Sequence, residues 1–217
     1  MNPIKQEKLL ICNLKEKMLH PVLCRMKLFY NMLIKNPVYI VKDIVRMITC
    51  KGETLIDATC GNGYDTVFLA ELTGQTGTVF AFDIQKEAIE NTRKKVECSG
   101  VSNRVRLIMA GHENIDKYVD GQIACAMFNL GYLPGSDRKT STKWQSTITG
   151  IQKSMNLLRT GGIVTIIIYH GKETGYEERD KVLEFLQDID YKQFNVLKLD
   201  YMNRVNDPPI PIIIEKL

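Results

Sequence analysis

Thr54-Leu55-Ile56-Asp57-Ala58-Thr59-Cys60-Gly61-Asn62-Gly63 runs from a short apolar strand into a glycine turn, and Asp65 to Leu72 continue it as a helix. Glycines at 61 and 63 can take positive φ and let the backbone approach a ligand closely, while the helix that follows offers unpaired N–H groups. A nucleotide-like ligand at the end of this strand is the expectation. A dinucleotide fingerprint G-x-G-x-x-G would need a third glycine at position 66, which is Thr66, and this weakens an NAD reading. A plain tight turn is the alternative when the motif is taken alone.

Working outward, Thr54–Ala58, Thr78–Asp83, Arg104–Met109, Ile123–Phe128 and Ile163–Tyr169 are apolar with little period-2 alternation. Short strands that are apolar on both faces belong to a parallel sheet covered by helices on each side. Between them Lys86–Ser99 and Lys143–Leu158 repeat apolar residues at helical spacing, with faces Ala88, Ile89, Thr92, Val96 and Ile148, Ile151, Met155, Leu158. The expected fold is therefore α/β, a doubly wound and mostly parallel sheet of about seven strands. After a helix at Tyr176–Asp188, the runs Gln193–Leu199 and Ile210–Glu215 are joined by a Pro-containing link too short for a crossover, which predicts an antiparallel C-terminal pair. Pro211 predicts a bend or bulge where the last run starts.

The 217 residues, 44% hydrophobic and 25% charged, have an ordinary globular balance and suffice for a core without metal or disulfide staples. No apolar run is long enough to span a membrane. Six cysteines form no C-x-x-C pair and three histidines supply no ligand-spaced partners, so no metal site is expected, and a reducing, cytoplasmic compartment is. The net charge of +4 is unevenly spread: residues 1–50 hold nine Lys and Arg against three acids, leaving 20 against 22 in the remainder. A basic arm on a near-neutral body fits an anionic partner such as RNA, and equally fits a solvated basic helix. Apolar spacing makes residues 1–36 helical, with Pro21 kinking the pattern, and neither a signal nor a transit peptide fits.

Polar residues collect where the strands end. Asp83, at the tip of the second strand, can accept both ribose hydroxyls, with Ile84 packing on a base; read alone, it could instead cap the next helix. Gly111-His112-Glu113-Asn114 follows the third strand, and His112 is either a cofactor contact or an ordinary surface histidine. The fourth strand ends in Asn129-Leu130-Gly131-Tyr132-Leu133-Pro134-Gly135, where an amide, a backbone carbonyl and a ring could cradle a planar base or an amine. The alternative is a Gly/Pro turn in which Asn129 bonds its own backbone.

Asp-x-x-x-Gly-x-Gly, then Asp83, then Asn-Leu-Gly-Tyr resembles the Rossmann-like class I S-adenosylmethionine methyltransferases. More narrowly, DATCGNGYDT, FDIQ, HEN, MFNLGYLPG, GGIVTIIIYHG and NRVNDPP in that order resemble the bacterial YtqB-type family labelled rRNA methylases. That family includes a tRNA methyltransferase that converts wobble 5-aminomethyl-(2-thio)uridine to its methylaminomethyl form. The resemblance covers roughly residues 37–217, giving a methyltransferase domain there and a basic helical extension at 1–36 that it does not explain.

By motif, the resemblance implies S-adenosylmethionine as cofactor, with Asp57, Gly61, Asn62 and Gly63 along its methionine part. Asp83 and Gln85 would hold ribose and adenine, and His112 with Glu113 would close the adenine side. Asn129, Leu130 and Tyr132 would lie beside the sulfonium methyl, the first two orienting an amine through the Asn129 side chain and the Leu130 carbonyl. Gly131, Tyr169, His170, Asn203, Asn206 and Pro208 would form the substrate rim, and Arg138 and Lys139 would meet phosphates. The family's last loop reads Asn-Asn-Pro-Pro; here it is Asn206-Asp207-Pro208-Pro209, and Asp207 becomes a candidate proton acceptor. The implied partner is a tRNA anticodon stem-loop, with no membrane and with a homodimer left open. An rRNA or small-molecule methyltransferase and a non-catalytic nucleotide-binding module are the competing readings.

Overall fold

The computed structural model describes residues 36–130, 143–170 and 175–217. The helical reading of residues 1–35 lies outside them. The chain forms two compact units, Met1–Ile40 and Val41–Leu217. Of the first, only the start of helix α1 (Pro37–Ile48) is described, where the Asn36 side-chain oxygen accepts the Val38 N–H at 3.0 Å and so caps the helix.

The second unit is built on one seven-stranded sheet in the order β3-β2-β1-β4-β5-β7-β6. Its strands are β1 (Thr54–Asp57), β2 (Thr78–Asp83), β3 (Val105–Met109), β4 (Ile123–Leu130), β5 (Leu158–Ile168), β6 (Phe194–Lys198) and β7 (Ile210–Lys216). The first five pair in parallel, and β7 runs antiparallel between β5 and β6. The helices are α2 (Tyr64–Thr73), α3 (Lys86–Cys98), α4 (Trp144–Leu157) and α5 (Tyr176–Gln187). Strand β4 has seven of eight residues buried, as a central strand covered on both faces requires. One core joins Ile56, Phe82, Phe128, Val164 and Ile166 of the sheet to Ile151, Met155, Val182 and Leu186 of α4 and α5, and another packs Cys60 and Ala81 against Ile89 of α3.

Two expectations are corrected. Pro211 pairs with Ile167 in an unbroken register, so β7 has no bulge at its start. The proline carbonyl still serves the sheet, accepting the Leu199 N–H at 2.9 Å, and its missing N–H falls where the β6–β7 pairing ends at Lys198 and Ile212. Strand β5 begins at Leu158, five residues before the apolar run, directly from the end of α4. The apolar pattern missed those residues because the segment Arg159-Thr160-Gly161-Gly162 carries no long hydrophobic side chain; Leu158 pairs with Ile123, and pairing with β4 resumes at Ile163 after an irregularity in the register.

The order of the parallel strands reverses at β1 and β4, and a crevice at such a switch point is where open α/β sheets bind ligands. The carboxyl ends of β1, β2 and β4 bring Asp57, Asp83 and Asn129 to that edge.

Candidate active site at the switch point

The glycine turn is fixed from below. Gly61 and Gly63 have φ of +50° and +77°, a region that costs any L side chain, and a Cβ on Gly63 would sit 2.9 Å from the Thr92 Cα. The Cys60 N–H donates to the Phe82 carbonyl at 2.9 Å and the Gly63 N–H to the Cys60 carbonyl at 2.7 Å, while the Thr92 hydroxyl donates to the Gly61 carbonyl at 3.0 Å. Strand β2 and helix α3 thus clamp the turn.

Asp83 does not cap α3, whose first flanking residue is Gln85. Its carboxylate instead accepts the Gly61 N–H at 3.1 Å and the Gln85 N–H at 2.9 Å, tying the two loops together. A carboxylate offers about four acceptor positions, so two remain for a diol. Ile84, 58% exposed, stands next to it as an apolar face for a ring. Asn62 bonds Asn91 across the turn at 3.2 Å.

Asp57 lies under the turn with no exposed surface, its oxygens taken by the Thr66 hydroxyl at 2.6 Å and the Thr59 N–H at 3.3 Å. Burial, then the charge of Asp65, pushes its carboxyl up to about 7. It supports the turn from within. His112 is buried, not a surface histidine: its Nδ1 is 3.3 Å from the Ala58 carbonyl and its ring meets Phe128 edge-on at 5.5 Å. Desolvation lowers its pKa and keeps it neutral, and Nε2 has no protein partner. Gly150 of α4 leaves room for it, since a Cβ there would lie 2.8 Å from the imidazole. Glu113 is half-buried and accepts the Asn114 amide at 3.1 Å.

At the end of β4 the Asn129 N–H donates to the Thr59 hydroxyl at 2.8 Å, and its side-chain Nδ2 donates to Asp65 at 2.7 Å. The side chain therefore does not bond its own backbone. Leu130 differs from expectation: it is fully buried and its carbonyl already accepts the Tyr169 N–H at 3.0 Å, because the β4–β5 ladder continues to the strand end. Gly131, Tyr132, Arg138 and Lys139 lie outside the described residues.

On the rim, Tyr169 is exposed and His170 is partly covered, with neither imidazole nitrogen hydrogen-bonded and its ring 5.9 Å from that of Tyr176. Burial, then Arg179, lowers the His170 pKa. Tyr176 donates to Asp207 at 3.0 Å, and Asp207 takes φ of +39°. Asn203 and Asn206 are exposed and Pro208 is half-buried. The residues missed by sequence reasoning are Asp65 and Thr59, and Lys42, whose ammonium meets Asp65 at 2.5 Å. Asp65 carried only the signal of an acid in a first helical turn, and Lys42 carried none.

The glycine turn, the acid at the tip of β2 and the antiparallel end of the sheet are jointly the layout of the class I methyltransferase fold. A family model described as "Putative rRNA methylase" matches residues 79–215, more than half of the chain. The chain belongs to the rRNA methylase family. A second model, that of protein-L-isoaspartate(D-aspartate) O-methyltransferases, matches residues 2–117, the part that holds the glycine turn and Asp83. Among solved structures, an rRNA-methylase from Clostridium thermocellum is 50% identical with a TM-score of 0.83, over 84% of this chain and 98% of that one. A Streptococcus mutans methyltransferase solved with S-adenosylhomocysteine is 40% identical with a TM-score of 0.77 and the same coverage. A chloroplastic tRNA (mnm(5)s(2)U34)-methyltransferase of Arabidopsis thaliana is 32% identical over 174 residues, which are 76% of this chain and 62% of that protein. The chain thus spans about three fifths of this plant relative. The chain of the rRNA methylase family described here has no helix, among the described residues, long and apolar enough to cross a membrane.

Proposed function

We propose that this family member uses S-adenosylmethionine to methylate the side-chain amine of 5-aminomethyl-(2-thio)uridine at the wobble position of tRNA. The observation that carries the substrate is the 32% identity to the Arabidopsis tRNA (mnm(5)s(2)U34)-methyltransferase. The cofactor is supported by the fit of the turn: Gly61 and Gly63 hold positive φ, which lets the backbone come close to a ligand, and Asp83 keeps acceptor capacity for a ribose diol beside the exposed Ile84.

When bound, the cofactor supplies a methyl on positively charged sulfur, already activated for in-line displacement. The chain's task is to align a neutral amine and keep water out, since orientation alone supplies a large share of such an acceleration. Asn129 accepts an amine N–H through Oδ1 and so turns the lone pair toward the methyl. The methylated nitrogen would carry one excess proton, which water or Asp207 would take; the Asp207 carboxylate is exposed and already bonded by Tyr176. Tyr132 stacks on the base, a role given by its motif. A wobble base is single-stranded and can be splayed into such a pocket. Tyr169, His170, Asn203, Asn206 and Pro208 form its rim, and Arg138 and Lys139 meet the loop phosphates. Residues 37–217 form the methyltransferase domain, and the basic segment 1–36 adds non-specific attraction to RNA.

Methylation in vitro of tRNA carrying 5-aminomethyluridine, with nucleoside analysis of the product, tests this. Conversion to the methylaminomethyl nucleoside is expected. Methyl incorporation into rRNA with the wobble base unchanged would transfer the assignment to the rRNA reading that the family description favours.

A further inference from the structure

Lys42, Asp65 and Asn129 come from three separate elements, α1, the first turn of α2 and the end of β4, and meet beside the glycine turn. One Asp65 oxygen accepts the Asn129 Nδ2–H at 2.7 Å and the other pairs with Lys42 Nζ at 2.5 Å. The ion pair is shielded, with side-chain exposures of 16% and 14%. Lys42 is itself seated over the Phe68 ring, 4.9 Å from its centroid.

We infer that Asp65, held by Lys42, is the positioning residue that decides which end of the Asn129 carboxamide faces the acceptor nucleophile. An ionised carboxylate only accepts hydrogen bonds, so the amide beside it must present its NH2 group; the flipped rotamer would set oxygen against oxygen. The backbone at Asn129 leaves no other adjustment, because it is locked in register with Ile167 and its N–H is held by Thr59. With Nδ2 committed to Asp65, Oδ1 is the end left for the substrate. The site therefore selects a nucleophile that brings its own N–H, such as a primary amine, over one with only lone pairs. The Asp65 charge also reaches Tyr169, whose phenol is pushed up by the covering of part of its ring and then by that charge. The inference rests on the reading of Asn129 as the group beside the transferred methyl.

The experiment compares wild type, Asp65→Asn, Lys42→Met, Asn129→Ala and Asp65→Asn/Asn129→Ala in the full chain. It follows tritiated methyl transfer to separated tRNA and rRNA fractions, S-adenosylhomocysteine affinity and the melting curve. Asp65→Asn removes the orientation rule, because its amide can donate or accept, and is expected to lower kcat about 10- to 100-fold. The cofactor-product affinity should stay within about twofold. The double variant should be no worse than Asn129→Ala, since both changes remove the same alignment. Lys42→Met, which leaves Asp65 in place, should lower kcat about fivefold and serves if Asp65→Asn does not fold. Wild-type kcat in a folded Asp65→Asn or Lys42→Met chain overturns the inference. So does an equal loss of kcat and S-adenosylhomocysteine affinity, which would mark a general support of the turn. Transfer to rRNA in place of tRNA overturns the substrate reading alone, and the Asp65 comparison is then made on that RNA. A wild-type chain inert on every RNA fraction overturns both.

Discussion

The two sides of the crevice are built differently. On the proposed cofactor side the carboxylates and hydroxyl at the glycine turn are tied down: Asp83 bonds Gly61 and Gln85, Thr92 bonds Gly61, and Asp57 bonds Thr59 and Thr66. On the proposed substrate side Asn203, Asn206 and Asp207 are exposed, and His170 has no hydrogen-bond partner on either nitrogen. Rigid backbone and shared carboxylates suit a ligand of one invariant shape. Exposed side chains on a short antiparallel link suit a macromolecule whose approach they must follow, and can change without disturbing the sheet. Asn129 sits at the seam, with its backbone in the sheet and its carboxamide between the two sides.

The sharpest way to break this division is at the seam. Asn129→Ala should lower kcat about 1000-fold, the scale of losing a preorganised polar contact at the reacting atoms, while S-adenosylhomocysteine binding changes less than about twofold. A parallel loss of both, read by calorimetry and turnover, would place Asn129 on the cofactor side. Next in size is Gly63→Ala, which combines strain at φ +77° with a contact to the Thr92 backbone. Thermal denaturation should show a lower Tm, and S-adenosylhomocysteine affinity should fall at least about tenfold, because nothing there can give way.

The buried acid beneath the turn makes a pH prediction. The Asp57 pKa rises from 3.8 to about 7 on folding, so the folded chain holds its proton more tightly than the unfolded chain. Its contribution is complete below about pH 4 and is lost as pH rises toward 7, so stability falls over that window. In Asp57→Asn this component of the slope of Tm against pH should vanish. A slope equal to that of wild type would mean that another group titrates there.

The smallest effect is expected on the rim. Asp207→Asn keeps an acceptor for Tyr176 and leaves water to take the proton, so kcat/KM for RNA should fall only about fivefold, about one hydrogen bond's worth. Affinity for S-adenosylhomocysteine should be unchanged. A loss as large as that of Asn129→Ala would move Asp207 from the rim to the reacting centre.

Much of the cofactor side was legible in the linear chain, because its chemistry is local. Gly61 and Gly63 occupy positive φ, a property that only the residue type need announce, and Asp83 ends a strand whose apolar run is visible by eye. Helix α1 is not legible in the same way, and neither is Lys42, because in the linear chain it is one of nine Lys and Arg spread over residues 1–50 and nothing local pairs it with Asp65. His112 was readable only as polar and near a strand end; its burial against Phe128 depends on α4 approaching at Gly150. The Leu130 carbonyl looked available in a Gly/Pro-rich stretch, and the β4–β5 ladder, made by residues almost forty positions later, consumes it.

The amino-acid order by itself therefore determined the alternation of strand and helix, the glycine turn and the acid that faces it, since backbone freedom and apolar periodicity act within a few residues. Tertiary structure alone decided the protonation of Asp57, the neutrality of His112 and the pairing of Lys42, Asp65 and Asn129. Desolvation and side-chain pairing depend on which elements the sheet order brings together, and residues 65 and 129 become neighbours only because β4 lies beside β1.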